Sequence, residues 1–438
     1  MSRMLIAETP KRVGDKVEIA GFVDTVRDHG KITFIDVHDY SGVVQVVGQY
    51  LSDLRPQYVV KIEGIVQKRP DSMVNKKVKT GEVEIKSEKV EVLSKAAELP
   101  FDLGMETLDL ELPTLLDNRS LTLRHPKIKA IFKVQAALLK GFRKVAQEIG
   151  CTEIVVPTIA ASSTEGGAEV FKVDYYGHKA FLTQSPQLYK QMLLPVFERV
   201  FTVTKAYRAE PSVTTRHLSE VTQMDCEIGF IGFRDLLDLL EKVAAETIKF
   251  AEETCKEDLD TFGHEAIAFG KIPRLTLREA QELIKKEFGR DNTKEKDLTP
   301  QDEQDLCVWA RRNHQSDFVT VTHFPTSAKP FYTKPDPQDP EHSLSYDLLF
   351  RGVEVLSGSQ RINDYGQLVE SLKSRGMNPD DFEMYLMAFK FGMPPEGGFS
   401  FGLERITMHI LGLANIREAS LFPRDTERVD IRFSKLEK

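Results

Sequence analysis

"YRAEPSVTTRHLSEVTQMDCE", from Tyr207 to Glu227, is the stretch of sequence that decides the fold prediction. It places Arg208 and Arg216 on two segments joined by a loop, which predicts paired strands with both guanidinium groups facing one cleft. The planar guanidinium fork makes bidentate, charge-assisted hydrogen bonds to phosphate. Glu210 and Glu220 are placed to hold the two arginines. The stretch therefore favours an anion site without a glycine-rich phosphate loop, and a solvated hairpin with surface ion pairs is the alternative.

The composition is that of a globular protein. The chain has 438 residues, of which 41% are hydrophobic and 29% are charged, so two or three domains are expected. The net charge of −8 argues against a nucleic-acid coat over the whole chain but leaves room for a local basic patch. The four cysteines lie far apart and are predicted to be reduced thiols. Neither a signal peptide nor an apolar run of roughly 20 residues is present, so we expect a cytoplasmic protein with no membrane partner.

The first part of the chain alternates apolar and polar residues as strands do. About five short strands, separated by Gly, Asp and Ser, predict a small closed barrel of the OB type over residues 1–95. Such barrels often bind oligonucleotides, and a purely structural β-domain is the alternative. Residues 96–125 are predicted to be a linker. The remainder, 126–438, mixes helix and strand and contains a charged, proline-rich region at about 265–340 that is typical of an insertion.

A second motif is "DLLFRGVEVLSGSQR", which begins at Asp347. Asp347 and Glu354 are seven residues apart, so a bulge or turn must intervene if both carboxylates reach one site. Ser357 and Arg361 are predicted to follow in a glycine-bearing turn. Carboxylate and hydroxyl oxygens without His or Cys suit Mg²⁺ that is also held by substrate phosphates. An edge strand with exposed acids is the alternative.

A third motif is "GGFSFGLERI", residues 397–406. Its glycines permit a close approach of the backbone. A helix is predicted to begin near Gly402 and to carry Arg405 in its first turn. A helix N-terminus beside an arginine suits a terminal phosphate.

A fourth motif, "FLTQSPQLYKQ", is a compact polar set on a turn that enters a helix. It contains Ser185, Gln187 and Lys190. The lysine offers a positive charge to a small acidic ligand, and an ordinary surface lysine is the alternative.

Together and in this order, the motifs resemble the three signatures of class II aminoacyl-tRNA synthetases. The segment around Pro157 in "GCTEIVVPTI" resembles motif 1 (about 127–160), "YRAE…RHLSE…DCE" resembles motif 2 (about 200–230), and "GFSFGLER" resembles motif 3 (about 397–425). The resemblance is closest to aspartyl-tRNA synthetases of the compact archaeal and eukaryotic type and covers essentially the whole chain. It implies an α+β protein: an OB-fold anticodon-binding barrel followed by a catalytic domain with a mainly antiparallel sheet flanked by helices. It also implies a homodimer.

The resemblance implies a reaction as well. L-Aspartate and ATP, with Mg²⁺, give aspartyl-adenylate, and the aspartyl group then passes to the terminal adenosine of tRNA(Asp); whether tRNA(Asn) is also charged stays open. The aspartate α-carboxylate is already a nucleophile, so the first step needs positioning and charge neutralisation rather than a general base. The implied catalytic residues are Arg208, Glu354 and Arg405.

The resemblance also carries over binding residues, position by position. The implied ATP contacts are Arg208, Glu210, Arg216, His217, Leu218, Glu354, Gly402, Leu403, Glu404 and Arg405. The implied aspartate contacts are Glu165, Ser185, Gln187, Lys190, Arg208, Asp225, Ser357 and Arg361. Within that pocket, Lys190 and Arg361 are expected to clamp the side-chain carboxylate and Asp225 to face the ammonium group. The implied Mg²⁺ ligands are Asp347, Glu354 and Ser357, and the implied anticodon contacts are Phe34, Gln45, Glu82 and Glu84.

Three other functions compete with this reading. Asparaginyl-tRNA synthetases share the scaffold, but a neutral amide would leave Lys190 and Arg361 buried against no charge. A paralogue that makes asparagine without tRNA is disfavoured by the anticodon barrel, and an inactive RNA-binding paralogue by the intact arginines. The chain departs from its relatives at Val221, where many carry a phenylalanine that stacks on adenine, and at His38, where an arginine is common.

Overall fold

The chain forms two units, Met1–Asp109 and Leu110–Lys438, each with its own hydrophobic core. The computed structural model describes residues 3–161, 169–211 and 214–436. None of the helices in these ranges is long and apolar enough to cross a membrane.

Five strands close the first unit into a barrel in the order β1-β2-β3-β5-β4, which confirms the predicted OB fold. They are β1 (Lys16–Asp28), β2 (Thr33–His38), β3 (Val43–Gly48), β4 (Val59–Lys68) and β5 (Val83–Ser94). Because side chains alternate between the two faces of a strand, Ile35, Val37, Val44 and Val46 fill the barrel while their neighbours face outward. The alternation that predicted the strands therefore also sets which residues are available to a partner.

The second unit combines one large sheet with flanking helices. The helices are α1 (Leu112–Asp117), α2 (Arg119–Thr122), α3 (Pro126–Glu148), α4 (Gln187–Met192), α5 (Leu194–Phe197), α6 (Phe233–Thr254), α7 (Lys256–Asp260), α8 (Leu277–Phe288), α9 (Pro300–His314), α10 (Tyr365–Ser374), α11 (Glu383–Lys390) and α12 (Leu403–Leu411). The strands are β6 (Thr152–Glu153), β7 (Ile159–Ala160), β8 (Lys172–Tyr175), β9 (His178–Leu182), β10 (Arg199–Tyr207), β11 (Glu220–Gly229), β12 (Arg274–Thr276), β13 (Phe318–Thr322), β14 (Ser345–Phe350), β15 (Val353–Gln360) and β16 (Glu396–Gly402).

Eight of the described strands pair in the order β12-β13-β14-β15-β16-β11-β10-β6, and β7, β9 and β8 form a small separate sheet. Within the large sheet, only the two outermost pairs, β12 with β13 and β10 with β6, are parallel. The α+β fold with a mainly antiparallel sheet is therefore confirmed. The predicted insertion at about 265–340 contains β12 and β13, so part of it extends the edge of the main sheet.

Helices α3 and α6 pack together and cover the sheet with apolar side chains. In α3, Ile131, Val134, Leu138 and Phe142 recur at helical spacing and are buried. The helices approach closely at Gly141, where an added Cβ would lie 2.9 Å from the carbonyl oxygen of Thr247. This layer supports the strands that it covers.

The residues predicted to form a linker, 96–125, are divided between the two units, because the boundary along the chain falls after Asp109. Helices α1 and α2 belong to the second unit. The buried guanidinium group of Arg119 donates to the carbonyl oxygens of Leu421, Glu418 and Ser420 at 2.7–2.9 Å. The later half of this segment therefore fastens the C-terminal residues to the second unit.

Candidate active site

Two buried cations lie beside β11. The Lys190 ammonium group is 2.9 Å from Asp225 Oδ2 and 3.0 Å from Glu227 Oε2, and all three side chains are at most 2% exposed. Arg361 Nε donates to Glu227 Oε1 at 2.8 Å. Asp225 also accepts a hydrogen bond from Ser400 Oγ at 2.6 Å. The structure therefore brings the predicted residues Lys190, Asp225 and Arg361 together.

Glu227 is the residue of this cluster that the sequence analysis missed. Although burial alone favours a neutral acid, the charges of Arg361 and Lys190 hold the pKa of Glu227 at about 2. Period-2 alternation along β11 places Glu227 on the same face as Asp225, and this signal was available in the sequence. Gly398 on β16 makes room for the carboxylate, because an added Cβ would lie 2.2 Å from Glu227 Oε2.

Polar residues of α4 complete the pocket. Gln187 Oε1 accepts a hydrogen bond from Arg361 at 3.2 Å, and Gln187 Nε2 donates to Gln191 Oε1 at 2.9 Å. Ser185 is buried at the start of the same turn. The predicted contact Glu165 lies outside the described residues. The helix thus supplies one of the two cations, Lys190, and presents Gln187 to the other, Arg361.

A row of directly paired residues connects this pocket to the predicted metal ligands. Asp347 on β14 pairs with Ser357 on β15, Ser357 pairs with Ser400 on β16, and Ser400 pairs with Asp225 on β11. Directly paired residues project from the same face of a sheet, and neighbouring strands are ~4.8 Å apart. Asp225 and Asp347 are therefore roughly 14 Å apart on one face. One extended ligand can reach both ends of the row.

The predicted Mg²⁺ ligands lie at the Asp347 end of the row, which we call the metal end. This end is a hairpin whose turn lies between β14 and β15. The turn and a register shift at Leu348 and Leu349 bring Asp347 and Glu354 near each other, as the sequence required. The expected turn around Ser357 is wrong: Ser357 lies within β15, and its Oγ donates to Asp347 Oδ1 at 2.5 Å. The strand extends through Ser357 because residues 353–359 pair along β14 and residues 356–360 pair along β16.

A lysine that the sequence analysis did not predict shares the metal end. Lys329 Nζ lies 3.0 Å from Asp347 Oδ2. Burial raises the pKa of Asp347 to about 6, and the Glu354 carboxylate adds to this while Lys329 opposes it. Among the described residues no group of three His, Cys, Asp or Glu could hold a metal ion. Two carboxylates and a hydroxyl do fit Mg²⁺ that keeps substrate phosphates as its other ligands.

Three arginines of the predicted ATP site lie near His217, and their charges act together on its imidazole. Arg208 follows β10 with an exposed side chain, and its backbone N–H donates to the carbonyl oxygen of Ser219. Arg405 lies in the first turn of α12, as predicted, and NH1 donates to the Glu354 carbonyl oxygen at 3.0 Å. Arg216 lies on the loop between β10 and β11. This set of cations suits a polyanion.

Arg216 is held by a residue from the insertion. Its NH1 lies 3.4 Å from Glu303 Oε2 on α9. Burial raises the pKa of Glu303 to about 7, and Glu354 pushes it the same way, against Arg216 and Arg405. Glu303 was missed because no pattern near residue 303 indicates that its helix reaches residues almost a hundred positions earlier.

Several predicted ATP contacts have side chains committed elsewhere. Leu403 is buried in the main core, and Leu218 packs in a small cluster with Val221 at its edge. The Glu404 carboxylate accepts the backbone N–H of Thr222 at 2.9 and 3.1 Å. The register of α12 turns the side chains of Leu403 and Glu404 into the protein, and the ATP contacts of these two residues stay predictions.

The remaining predicted ATP contacts lie at the exposed side of the arginine cluster. His217 and Glu210 are partly exposed and 4.0 Å apart. Burial and the nearby Arg405 and Arg208 lower the pKa of His217, against the opposing effect of Glu210. Gly402 is the N-cap of α12. These positions are compatible with a nucleotide above β11 and β16.

The outer face of the barrel carries the predicted anticodon contacts. Glu84 accepts hydrogen bonds from Gln45 Nε2 at 2.7 Å and from Gln67 Nε2 at 2.6 Å. Phe34 lies on the same outward face of β2, half-buried, with its ring centroid 5.7 Å from the ring centroid of His29. Glu82 is exposed, outside the hydrogen-bonded group that Gln45 and Glu84 form. Of the two glutamates, the structure brings only Glu84 to Gln45.

Comparison with known proteins gives the class. The family described as tRNA synthetases class II (D, K and N) matches residues 111–426, and the OB-fold nucleic acid binding domain family matches residues 17–93. The chain therefore belongs to the class II tRNA synthetases of the D, K and N group, and it is an aminoacyl-tRNA ligase.

Full-length relatives narrow the class further. The aspartate–tRNA(Asp/Asn) ligase of Thermus thermophilus is 42% identical over 98% of this chain and 99% of the relative. The aspartate–tRNA(Asp) ligase of Pyrococcus horikoshii is 39% identical over 95% of this chain and 96% of the relative. Among solved structures, asparaginyl-tRNA synthetase of Pyrococcus horikoshii with asparaginyl-adenylate has a TM-score of 0.89 at 30% identity, covering 98% of this chain and 99% of that one. The predicted resemblance to aspartyl-tRNA synthetases is confirmed.

Proposed function

We propose that this class II synthetase activates L-aspartate with ATP and transfers the aspartyl group to the terminal adenosine of tRNA(Asp). The observation that carries the proposal is the row Asp347–Ser357–Ser400–Asp225, which joins a polyanion site to a buried pocket with two cations. Relatives named aspartate–tRNA ligases, at 37–42% identity, support the choice of amino acid. Their names are divided between tRNA(Asp) and tRNA(Asp/Asn), so charging of tRNA(Asn) is the open part of the proposal.

The argument against asparagine changes once the pocket is seen. Lys190 and Arg361 are already balanced by Asp225 and Glu227, so an amide ligand would leave no cation unpaired. Asparaginyl-tRNA synthetases resemble this chain in fold, at 26–30% identity. Aspartate is favoured instead by the higher identity of its ligases and by Arg361 Nη1, because a charged guanidinium nitrogen makes a stronger hydrogen bond to a carboxylate than to an amide oxygen. Among the described residues that nitrogen donates only to Ser359, which leaves one hydrogen for a substrate carboxylate.

The geometry supports a reaction that works by positioning. With the amino acid side chain at Lys190 and Arg361, the α-carboxylate would face the arginine cluster, in which the exposed Arg208 follows β10, the strand that pairs with β11. Arg208 would neutralise the phosphate under attack, and Arg216 and Arg405 the departing pyrophosphate. Asp347, Glu354 and Ser357 would hold Mg²⁺, which neutralises phosphate charge when bound. Because the nucleophile is already ionised, no residue needs to remove a proton in this step.

The proposed reaction is tested on the unmodified protein by ATP–pyrophosphate exchange. We expect exchange that depends on aspartate and is at least a hundredfold weaker with asparagine at equal concentration, which is about 3 kcal/mol of discrimination. Charging of purified tRNA(Asp) and tRNA(Asn) transcripts with labelled aspartate then decides between one and two tRNA substrates. Exchange with asparagine alone, or with neither amino acid, would refute the proposal.

Magnesium dependence should report the Asp347 carboxyl group. A proton and Mg²⁺ compete for the same carboxylate, and the pKa of Asp347 is raised to about 6. We therefore expect the Mg²⁺ concentration for half-maximal exchange to be constant above pH 7 and to rise toward tenfold per pH unit below about pH 6. The measurement is a Mg²⁺ titration of exchange between pH 5 and 8. In Asp347→Asn this additional rise below pH 6 should disappear, and its persistence would show that another group causes it.

The barrel is proposed to read the anticodon through Phe34, Gln45 and Glu84. Stacking on an unpaired base is worth roughly 1–3 kcal/mol, so Phe34→Ala should raise the KM for tRNA by about 5- to 150-fold. Exchange does not use tRNA and should stay within twofold of wild type. Tyr50, exposed elsewhere on the barrel unit, offers a matched control, Tyr50→Ala. Equal losses in the two variants would argue against a specific role of Phe34.

Two further parts of the proposal concern assembly and location. We propose a homodimer through the motif 1 segment, where the apolar side chain of Val155 is 96% exposed next to the strand β6. A cytoplasmic location is proposed because the tRNA substrate is found there.

A further inference from the structure

A buried carboxyl group behind the amino acid pocket has no part in the chemistry described so far. Glu396, the first residue of β16, is 0% exposed. Its Oε1 accepts a hydrogen bond from Gln191 Nε2 at 2.6 Å. Its Oε2 is buried and meets no N–H or O–H donor among the described residues. Burial of an ionised carboxylate with one oxygen unpaired costs free energy, whereas a protonated oxygen can itself donate a hydrogen bond.

The acceptor for that proton is the carboxylate of Glu227. Strands β11 and β16 pair Gly229 with Glu396 and Glu227 with Gly398, so the two glutamates are diagonal neighbours on the sheet, and their carboxyl groups are in hydrogen-bond contact. Two carboxyl groups in one buried place do not both ionise. Glu227 is held as the anion by two cations, and burial next to it raises the pKa of Glu396 well above its usual range.

We propose that Glu396 is a positioning residue of the amino acid pocket: as a carboxylic acid it donates a hydrogen bond to Glu227 and fixes that carboxylate against Arg361 and Lys190. A carboxylate has about four acceptor positions. Glu227 uses three of them for Arg361 Nε, Arg361 NH2 and Lys190 Nζ, at 2.8, 3.3 and 3.0 Å. Glu396 fills the fourth, so Glu227 has no freedom to rotate and the two cations keep their direction.

The proton on Glu396 also sets the charge that the substrate meets. Lys190 and Arg361 balance Asp225 and Glu227, so the floor of the pocket is neutral while Glu396 is neutral. An ionised Glu396 would add a negative charge behind the binding site for an anionic side chain. The inference rests on the proposed function for the identity of that side chain, and it assigns Glu396 to the selection of aspartate.

The amide of Gln191 transmits this arrangement to α4. Its Oε1 accepts hydrogen bonds from Tyr385 Oη at 3.0 Å and from Gln187 Nε2 at 2.9 Å, so its Nε2 points toward Glu396. Gln187 in turn contacts Arg361. The hydrogen-bonded path from Glu396 thus returns to the cation that faces the substrate, and removing Glu396 would loosen both ends of it.

Two substitutions separate a proton donor from an anion. In Glu396→Gln the amide donates to Glu227 without a charge, so we expect the KM for aspartate in pyrophosphate exchange to stay within threefold of wild type. In Glu396→Ala the donor is lost, and we expect this KM to rise at least tenfold while the KM for ATP stays within twofold. Equal damage in both variants, or an unchanged KM in Glu396→Ala, would overturn the proposal.

A spectroscopic measurement gives an independent answer even where Glu396→Ala folds poorly. The infrared difference spectrum, wild type minus Glu396→Gln at pH 8.5, should contain the C=O stretch of a protonated carboxyl group. A carboxylate band in its place would show that Glu396 is ionised and would sink the proposal.

A matched control and a reference experiment complete the test. The control variant Glu252→Gln alters another half-buried glutamate, which lies near the end of α6 and contacts His264. This variant should leave the KM for aspartate unchanged. Wild-type protein without aspartate-dependent exchange would refute the proposed function, while the infrared result would still decide whether Glu396 is protonated. The two failures are thereby distinguishable.

Discussion

Substituting Arg208 with alanine should reduce kcat/KM for aspartate-dependent pyrophosphate exchange by on the order of a thousandfold. Removing one charged donor aimed at a transition-state oxyanion costs about 3–4 kcal/mol in comparable sites. The Arg208 side chain is exposed at the end of β10, so its removal disturbs no core packing. The measurement is steady-state exchange, with the melting temperature recorded to confirm that the fold is intact.

Two variants make the Arg208 experiment specific. Arg208→Lys keeps the charge but loses the planar fork, so it should recover only part of the loss. Arg312→Ala removes an exposed arginine of α9 that pairs with Glu287, and surface pairs of this kind contribute about 0–1 kcal/mol. Near-normal exchange in Arg208→Ala would show that this arginine does not bind the phosphate under attack.

Substituting Lys190 with methionine should raise the KM for aspartate at least a hundredfold and leave the KM for ATP within threefold. Lys190 is 2% exposed between Asp225 and Glu227, so its loss leaves two buried carboxylates that repel an acidic substrate. Breaking a buried ion pair on one side costs about 3–5 kcal/mol, so the free energy of unfolding should fall by a similar amount. Exchange kinetics and urea unfolding measure the two effects separately.

The outcome that contradicts the Lys190 assignment is a stable variant with an unchanged aspartate KM. Lys205→Met is a suitable control, because Lys205 is exposed on the neighbouring strand and pairs with Glu220. That variant should alter neither KM. A rise in both KM values in Lys190→Met would indicate general damage to the site instead of loss of a substrate contact.

The sequence predicted those parts of the fold and site that depend on local pattern. The alternation of residues 33–38 and 43–48 predicted barrel strands, and the third motif predicted a helix that begins near Gly402 and carries Arg405 in its first turn. Arg208 and Asp225 were found because motif 2 is continuous in sequence. The structure confirms the fold, while the substrate contacts of these residues stay predictions.

The parts that were missed depend on contacts between distant segments. Glu303 and Lys329 come from the insertion, and only the folded sheet brings them to Arg216 and Asp347. The inward orientation of the Leu403 and Glu404 side chains was also not visible, because a motif does not show which way a helix is rotated on its support. Glu227 is a different case, since its position two residues after Asp225 on one strand was visible and was not used.

The lysine beside Asp347 has a consequence for the order in which ligands enter. Lys329 already supplies Asp347 with a positive neighbour at 3.0 Å, so a magnesium ion that arrives alone must compete with a resident ammonium group. A magnesium ion that arrives bound to a triphosphate also brings phosphate groups, to which the displaced Lys329 ammonium group can bind. If Asp347 binds magnesium as proposed, the site would therefore admit metal and nucleotide as one complex, and it would gain little from free magnesium before the nucleotide is present.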